Sequence, residues 1–142
     1  MKKIILLSNK KTGSSPYGAE LVTDGGFDNP ADWFLYDEVN SNVSNSRLNV
    51  TALTSSTSLC YTTVFNADVV IGKNYLVEFT LTADGGNTGQ IRALFGGVFG
   101  TFITDGKYSA IVEATSSLKR IFFYRTGTYL GTMDDVSVRE VL

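Results

Sequence analysis

The sequence has no histidine and a single cysteine, Cys60. The first absence excludes Ser-His and Cys-His nucleophilic catalysis, imidazole proton transfer near neutral pH and every histidine-containing zinc site. The second excludes intrachain disulfides and four-cysteine metal sites. Proline is also scarce, at 2 residues, and there is no long apolar run. The longest N-terminal one, Ile4-Ile5-Leu6-Leu7, stops at Ser8. It is too short for a signal-peptide core and far too short to cross a bilayer, so the reading is of a chain with neither signal nor membrane segment. Positive charge is not in excess: 12 Lys and Arg face 14 Asp and Glu, a net charge of −2. A chain of that balance lacks the basic footprint that nucleic-acid or anionic-membrane binding needs.

What is present points to one β domain. The 142 residues are 43% apolar and 18% charged, a globular composition of single-domain size. Glycine, Thr, Val, Phe and Tyr dominate over helix formers, and no window keeps a 3.6-residue apolar period. Alternation of period two recurs instead. It is clearest at Tyr75, Val77, Phe79 and Leu81. Further strands are expected over 33–39, 47–53 and 59–65, at Ile91, Ala93 and Phe95, over 98–103 and 108–113, and over 135–141. Ile121 to Tyr124 is an unbroken apolar run and reads as a central strand covered on both sides. Turn signals such as Asp84-Gly85-Gly86-Asn87 and Asp105-Gly106 separate these runs. Roughly eight to ten short strands make a two-sheet sandwich or a barrel. Residues 1–18 stand apart. They hold Lys2, Lys3, Lys10 and Lys11 around Ile4 to Leu7, and end in the linker-like Thr12 to Gly18. They read as an N-terminal arm whose Ile4, Ile5, Leu6 and Leu7 could add as a strand to a neighbouring sheet edge. The domain proper then spans 19–142.

Three groups of residues together resemble one family. Glu20-Leu21-Val22-Thr23-Asp24-Gly25-Gly26-Phe27-Asp28 is followed by Trp33. Gly72-Lys73-Asn74-Tyr75-Leu76-Val77-Glu78-Phe79 and Gly106-Lys107-Tyr108 stand in the middle, and Met133-Asp134-Asp135-Val136-Ser137-Val138 closes the chain. The pattern is similar to the carbohydrate-binding-module jelly rolls of the CenC type, the family 4/9/22-like sandwiches, which also occur in phage virion proteins. The resemblance covers about residues 20–142. It implies an all-β jelly roll of two antiparallel sheets, and a structural calcium ion joining the chain ends. The matching ligand positions are Asp28 with Asp134 or Asp135, hard oxygen donors that suit calcium. Turn hydrogen bonding by Asp134 and Asp135 is the alternative.

Sugar binding on such a sandwich needs flat aromatic rings bordered by polar side chains. The candidates are Trp33, Tyr36, Tyr61, Tyr124 and Tyr129, with Arg92, Arg125, Asn87 and Gln90 beside them. Tyr129 lies between Gly127 and Gly131 and reads as the best exposed platform, while Trp33 leans to the core. The Gly-rich stretch Phe95 to Phe102 reads as a tight corner between core strands, with an apolar loop for a partner subunit as the alternative. Adjacent carboxylates such as Asp134-Asp135 project to opposite faces of a strand and cannot flank one glycosidic bond, so no enzyme is expected. Two functions follow. One is a non-catalytic virion protein, such as a capsid decoration, head fibre or tail-associated jelly roll, acting through protein-protein assembly and able to touch surface glycans as well. It would be assembled in a host cytoplasm as a homo-oligomer, most plausibly trimeric, with virion proteins as partners. The other is a stand-alone carbohydrate-binding module or adhesin, which would be extracellular.

Overall fold

The structure, a computed structural model, describes residues 15–51 and 58–142. Eleven strands occur among them: β1 (Tyr17–Glu20), β2 (Trp33–Leu35), β3 (Ser41–Val43), β4 (Leu48–Val50), β5 (Ser58–Thr62), β6 (Asn74–Ala83), β7 (Gln90–Phe95), β8 (Val98–Phe99), β9 (Gly106–Glu113), β10 (Ile121–Thr126) and β11 (Gly131–Val141). One short 3-10 turn, Pro30–Asp32, precedes β2. No helix among the described residues is long and apolar enough to cross a membrane.

The strands form two antiparallel sheets. One runs β3-β4-β11-β6-β9, with β1 also paired to β11; the other runs β2-β5-β10-β7-β8. Apart from the consecutive pairs β3-β4 and β7-β8, neighbours in each sheet come from distant parts of the sequence, the crossed connectivity of a jelly-roll sandwich. Apolar side chains alternate into the space between the sheets. On β6 these are Tyr75, Val77, Phe79 and Leu81, each at most 1% exposed. On β7 they are Ile91, Ala93 and Phe95, and on β9 Tyr108 and Val112. Phe79 stacks on Tyr108 at 4.9 Å and meets Phe123 of the opposite sheet edge-on at 5.0 Å, so the sheets interlock through rings.

The two ends of the domain meet at a bulge. The β6–β11 register shifts between Asp134 and Ser137, and Asp135 takes a left-handed φ of 55°. The N-terminal turn docks against this bulge. Val136 N donates to Gly25 O at 3.0 Å, and a Cβ on Gly25 would lie 1.9 Å from Val136 O. Only glycine allows that approach. Asp24, buried, accepts from Asp28 N and Asn29 N, while its carbonyl accepts from Trp33 Nε1 at 2.9 Å. Glu20 spans the same junction, accepting from Val138 N at 2.8 Å and from the Ser137 hydroxyl. The opening and closing motifs of the chain are therefore one structural unit.

Several expectations are corrected. The strand near the start begins at Tyr17, which pairs with Val141, so the end of the supposed linker belongs to the sheet. The run expected over 33–39 ends as a strand at Leu35, because Asp37 folds the next turn by accepting from Val39 N and Asn40 N. In β5, Leu59 and Cys60 are both buried. The β5–β10 register skips Leu59 at an irregularity that breaks simple alternation. The β10 strand is not covered on both sides: Ile121 and Phe123 face inward, whereas Phe122 and Tyr124 are half-buried on the outside. Ile4 to Leu7, and Leu53 of the strand expected over 47–53, lie outside the described residues.

Candidate functional site

The outer face of the β2-β5-β10-β7-β8 sheet carries a cross-strand row of large side chains, four aromatic and one leucine. Phe34 stands opposite Tyr61, Tyr61 opposite Phe122, Phe122 opposite Leu94, and Leu94 opposite Phe99. Each of the five strands contributes one member. The cause is the period-two alternation: Trp33 and Leu35 point inward beside Phe34, Ile121 and Phe123 beside Phe122, Ala93 and Phe95 beside Leu94. Directly opposed side chains in a sheet lie close enough to touch. Phe34 stacks on Tyr61 at 4.9 Å, and Tyr61 meets Phe122 at 5.0 Å.

Tyr36 and Tyr124 widen the row. Tyr36 meets Phe34 edge-on at 5.2 Å and Tyr61 at 5.9 Å. Tyr124 meets Phe99 at 5.7 Å and stacks on Phe122 at 6.3 Å. Partial burial raises the Tyr36 phenol pKa, and the neighbouring Tyr124 and Tyr61 phenols add to the rise. Phe34 and Tyr36 are each 44% exposed and Phe99 50%, so the rings are presented to solvent rather than packed away. A contiguous exposed aromatic patch of this kind marks an interaction site.

Two guanidinium groups lie on the rings. Arg92, opposite Tyr124 in the register, places Cζ 4.0 Å from the Phe99 ring centre and 4.6 Å from that of Phe102. Arg120 places Cζ 4.6 Å from the Tyr61 ring centre. Cation–π contact holds each guanidinium by its face and leaves its N–H edge for a ligand. The Nε of Arg92 is itself buried and has no hydrogen-bond partner among the described residues. Gly96 and Gly97 make the corner between β7 and β8 with φ of 57° and 80°, as the sequence suggests, and so turn Phe99 onto this face.

The candidates read from the sequence separate sharply. Tyr36, Tyr61, Tyr124 and Arg92 come together here. Trp33 and Tyr129 do not, being 5% and 1% exposed. Trp33 stacks on Phe27 at 4.2 Å inside the core. Tyr129 is the opposite of an exposed platform, and burial raises its phenol pKa. Arg125 is also buried; desolvation lowers its pKa, and nearby Asp37 offsets part of that fall. Asn87 is spent on its own turn, accepting from Gly89 N and Leu130 N. Phe34, Phe99, Phe102, Phe122 and Arg120 were not singled out as ligand residues. Their signal is the strand register, which no local window contains.

Of the carboxylates expected to hold calcium, Asp28 and Asp135 lie near enough to Asp134 for their charges to act on it. Among the described residues no group of three or more His, Cys, Asp or Glu is placed to hold a metal ion. Asp28 and Asp135 are exposed. Asp134 accepts from Asp135 N at 2.7 Å, the turn duty of the alternative reading. Its pKa is raised by burial first and also by the negative charges of Asp135 and Asp28. A recess of about 530 Å³ lies on the other sheet, lined in part by Glu20, Glu78, Lys107 and Asp135. Its groups face inward on each other: Glu20 holds the chain-end junction and Glu78 pairs with Lys107 at 3.2 Å.

No protein-family model and no curated protein matches this sequence. The fold does find likenesses among solved structures. A CBM4 structure superposes with a TM-score of 0.56 at 17% identity, covering 84% of this chain and 99% of its own. The N-terminal cellulose-binding domain of Cellulomonas fimi β-1,4-glucanase C superposes with a TM-score of 0.57 at 18% identity, covering 87% and 99%. The chain therefore has the jelly-roll fold of carbohydrate-binding modules.

Proposed function

We propose that the protein is a non-catalytic glycan-binding domain that takes its ligand on the outer face of the β2-β5-β10-β7-β8 sheet. The observation that carries this reading is the row Phe34–Tyr61–Phe122–Leu94–Phe99, widened by Tyr36 and Tyr124. Sugar rings present flat C–H faces that dock on aromatic side chains, and phenol and guanidinium groups at the border meet the polar substituents. The likeness in fold to a cellulose-binding domain supports the reading without naming this ligand. It favours the carbohydrate-binding alternative read from the sequence over the virion one. The assembly arm of the virion reading, residues 4–7, lies outside the described residues.

The test is affinity electrophoresis of the full chain through native gels cast with soluble polysaccharides of varied backbone. At least one polysaccharide retards the protein, and Phe34→Ala and Tyr36→Ala each reduce the retardation while leaving circular dichroism unchanged. Free migration through every polysaccharide would overturn the proposal.

A further inference from the structure

The two sheets differ in charge in a way the net charge conceals. The strands β2, β5, β7, β8 and β10 contain no Asp or Glu at any position. The other sheet carries Glu20, Glu78, Glu113, Asp134, Asp135 and Glu140 on its strands, against Lys107 and Arg139. Asp32 and Asp37 bracket β2 at the edge of the aromatic sheet, and Asp37 is occupied by Val39 N, Asn40 N and Asn40 Nδ2. In a chain of net charge −2, the outward strand positions of this face carry Arg92 and no acid, Arg120 joins from the loop before β10, and the exposed acid nearest in sequence is Glu38, two residues past Tyr36.

The hydrogen-bond inventory points the same way. A neutral sugar is ringed by hydroxyls that donate as well as accept, and a site for it supplies acceptors such as carboxylates and amides. Guanidinium groups offer five N–H donors and no acceptor. The outward positions of the five strands, with Tyr36 and Arg120 beside them, supply two guanidinium groups, three phenols, the Ser58 and Thr126 hydroxyls and one amide, Gln90. Such a donor-rich surface matches a ligand rich in acceptors.

Resting on the glycan-binding proposal, we infer that the glycan is anionic, a polysaccharide whose sugar rings bear carboxylate or sulfate groups. The rings of Phe34, Tyr36, Tyr61 and Phe122 take the sugar faces, and Arg92 and Arg120 take the anionic substituents. Stacking on Phe99, Phe102 and Tyr61 pre-orients each guanidinium, so little side-chain freedom is lost on binding.

The experiment compares retardation by polygalacturonate, by dextran sulfate and by a neutral β-glucan, each at low and high sodium chloride. A charged polymer retards the protein more than the neutral one, and the retardation falls as salt screens the guanidinium contacts. Retardation by polygalacturonate alone names the group as carboxylate, and by dextran sulfate alone as sulfate. R92Q and R120Q each weaken binding about three- to tenfold. K107Q removes a cation from the other sheet and leaves binding unchanged. R120Q alters an exposed side chain, so it reports even if R92Q disturbs folding. Stronger, salt-independent retardation by the neutral glucan would overturn the inference and leave the glycan-binding proposal standing. An equal loss in K107Q would overturn it too, as would preference for a single-stranded oligonucleotide. No retardation by any polysaccharide removes both.

Discussion

Trp33 and Phe34 are neighbours on β2 and face opposite sides of the sheet, so their substitution separates stability from binding. Trp33→Phe acts on the core. Trp33 is 5% exposed, stacks on Phe27 at 4.2 Å, and donates from Nε1 to Asp24 O at 2.9 Å. The Asp24 carbonyl keeps a second donor, Phe27 N, so it is not left unpartnered. The cost is then one net hydrogen bond, about 1 kcal/mol, plus about 1–2 kcal/mol for the smaller ring and the space it leaves. For 142 residues the unfolding entropy makes 1 kcal/mol worth about 3 °C, so the melting temperature falls by about 6–9 °C. Phe34→Ala acts on the face. Phe34 is 44% exposed and loses only its contacts with Tyr61 and Tyr36, about 1 kcal/mol and about 3 °C. Its loss removes the exposed ring at the β2 end of the row, where it touches both Tyr61 and Tyr36, and weakens polysaccharide binding about tenfold.

Differential scanning calorimetry reads the first effect, and affinity electrophoresis below both transitions reads the second. Trp33→Phe melts early and binds like the wild type within about twofold; Phe34→Ala melts nearly normally and binds poorly. The reasoning is refuted if Trp33→Phe loses binding as Phe34→Ala does while keeping its melting temperature. That result would put Trp33 in the ligand site.

Gly25→Ala must push the β11 bulge away from a Cβ that would sit 1.9 Å from Val136 O; it costs about 3 kcal/mol, read as a drop of about 10 °C in melting temperature. Asp134 has a raised pKa in the fold, so its contribution is fully present below the unfolded carboxylate pKa, about 3.9, and is lost as pH rises through the folded value. Asp134→Asn, which keeps the acceptor for Asp135 N, therefore melts higher than the wild type at pH 7, and the gap closes in scans below about pH 4. Cys60 is fully buried and desolvation raises its thiol pKa, so it resists an aromatic disulfide reagent in the native protein and reacts at once in denaturant. Melting curves with EDTA and with calcium superimpose where Asp134 serves only its turn with Asp135 N; a gap of several degrees would show a cation holding the fold.

The fold was legible where apolar residues recur at every second position with polar ones breaking the run between them. Tyr75 to Leu81, Ile91 to Phe95 and Tyr108 to Val112 alternate in the sequence and in the structure alike. The opening and closing motifs were legible as a pair because a glycine-dependent contact and the Glu20 carboxylate join them physically. Legibility failed where the outer face is itself apolar. In β10 the outward Phe122 and Tyr124 fill the gaps between inward Ile121 and Phe123, so a one-sided strand looks like a doubly covered one. The inward position after them holds Arg125, which reads as surface.

Glycine misled for a related reason. Gly127 and Gly131 around Tyr129 suggest an open loop, yet they mark crowding. A Cβ on Gly131 would lie 2.3 Å from Thr82 O and 3.0 Å from the Tyr129 hydroxyl, and one on Gly89 would lie 2.3 Å from Tyr129 N. These glycines are needed because the backbone closes tightly over a buried ring. The aromatic row fails to show in the sequence on different grounds. Its members stand at positions 34, 61, 122, 94 and 99 in sheet order, drawn from five strands whose adjacency is set by the jelly-roll crossings. Each residue alone looks like ordinary core in a chain with 9 Phe and 7 Tyr. Only pairing puts them on one outward face, and the same pairing gathers the acidic strands into the other sheet. The site is thus a property of topology, and a one-residue slip in β10 would turn its rings inward and abolish it.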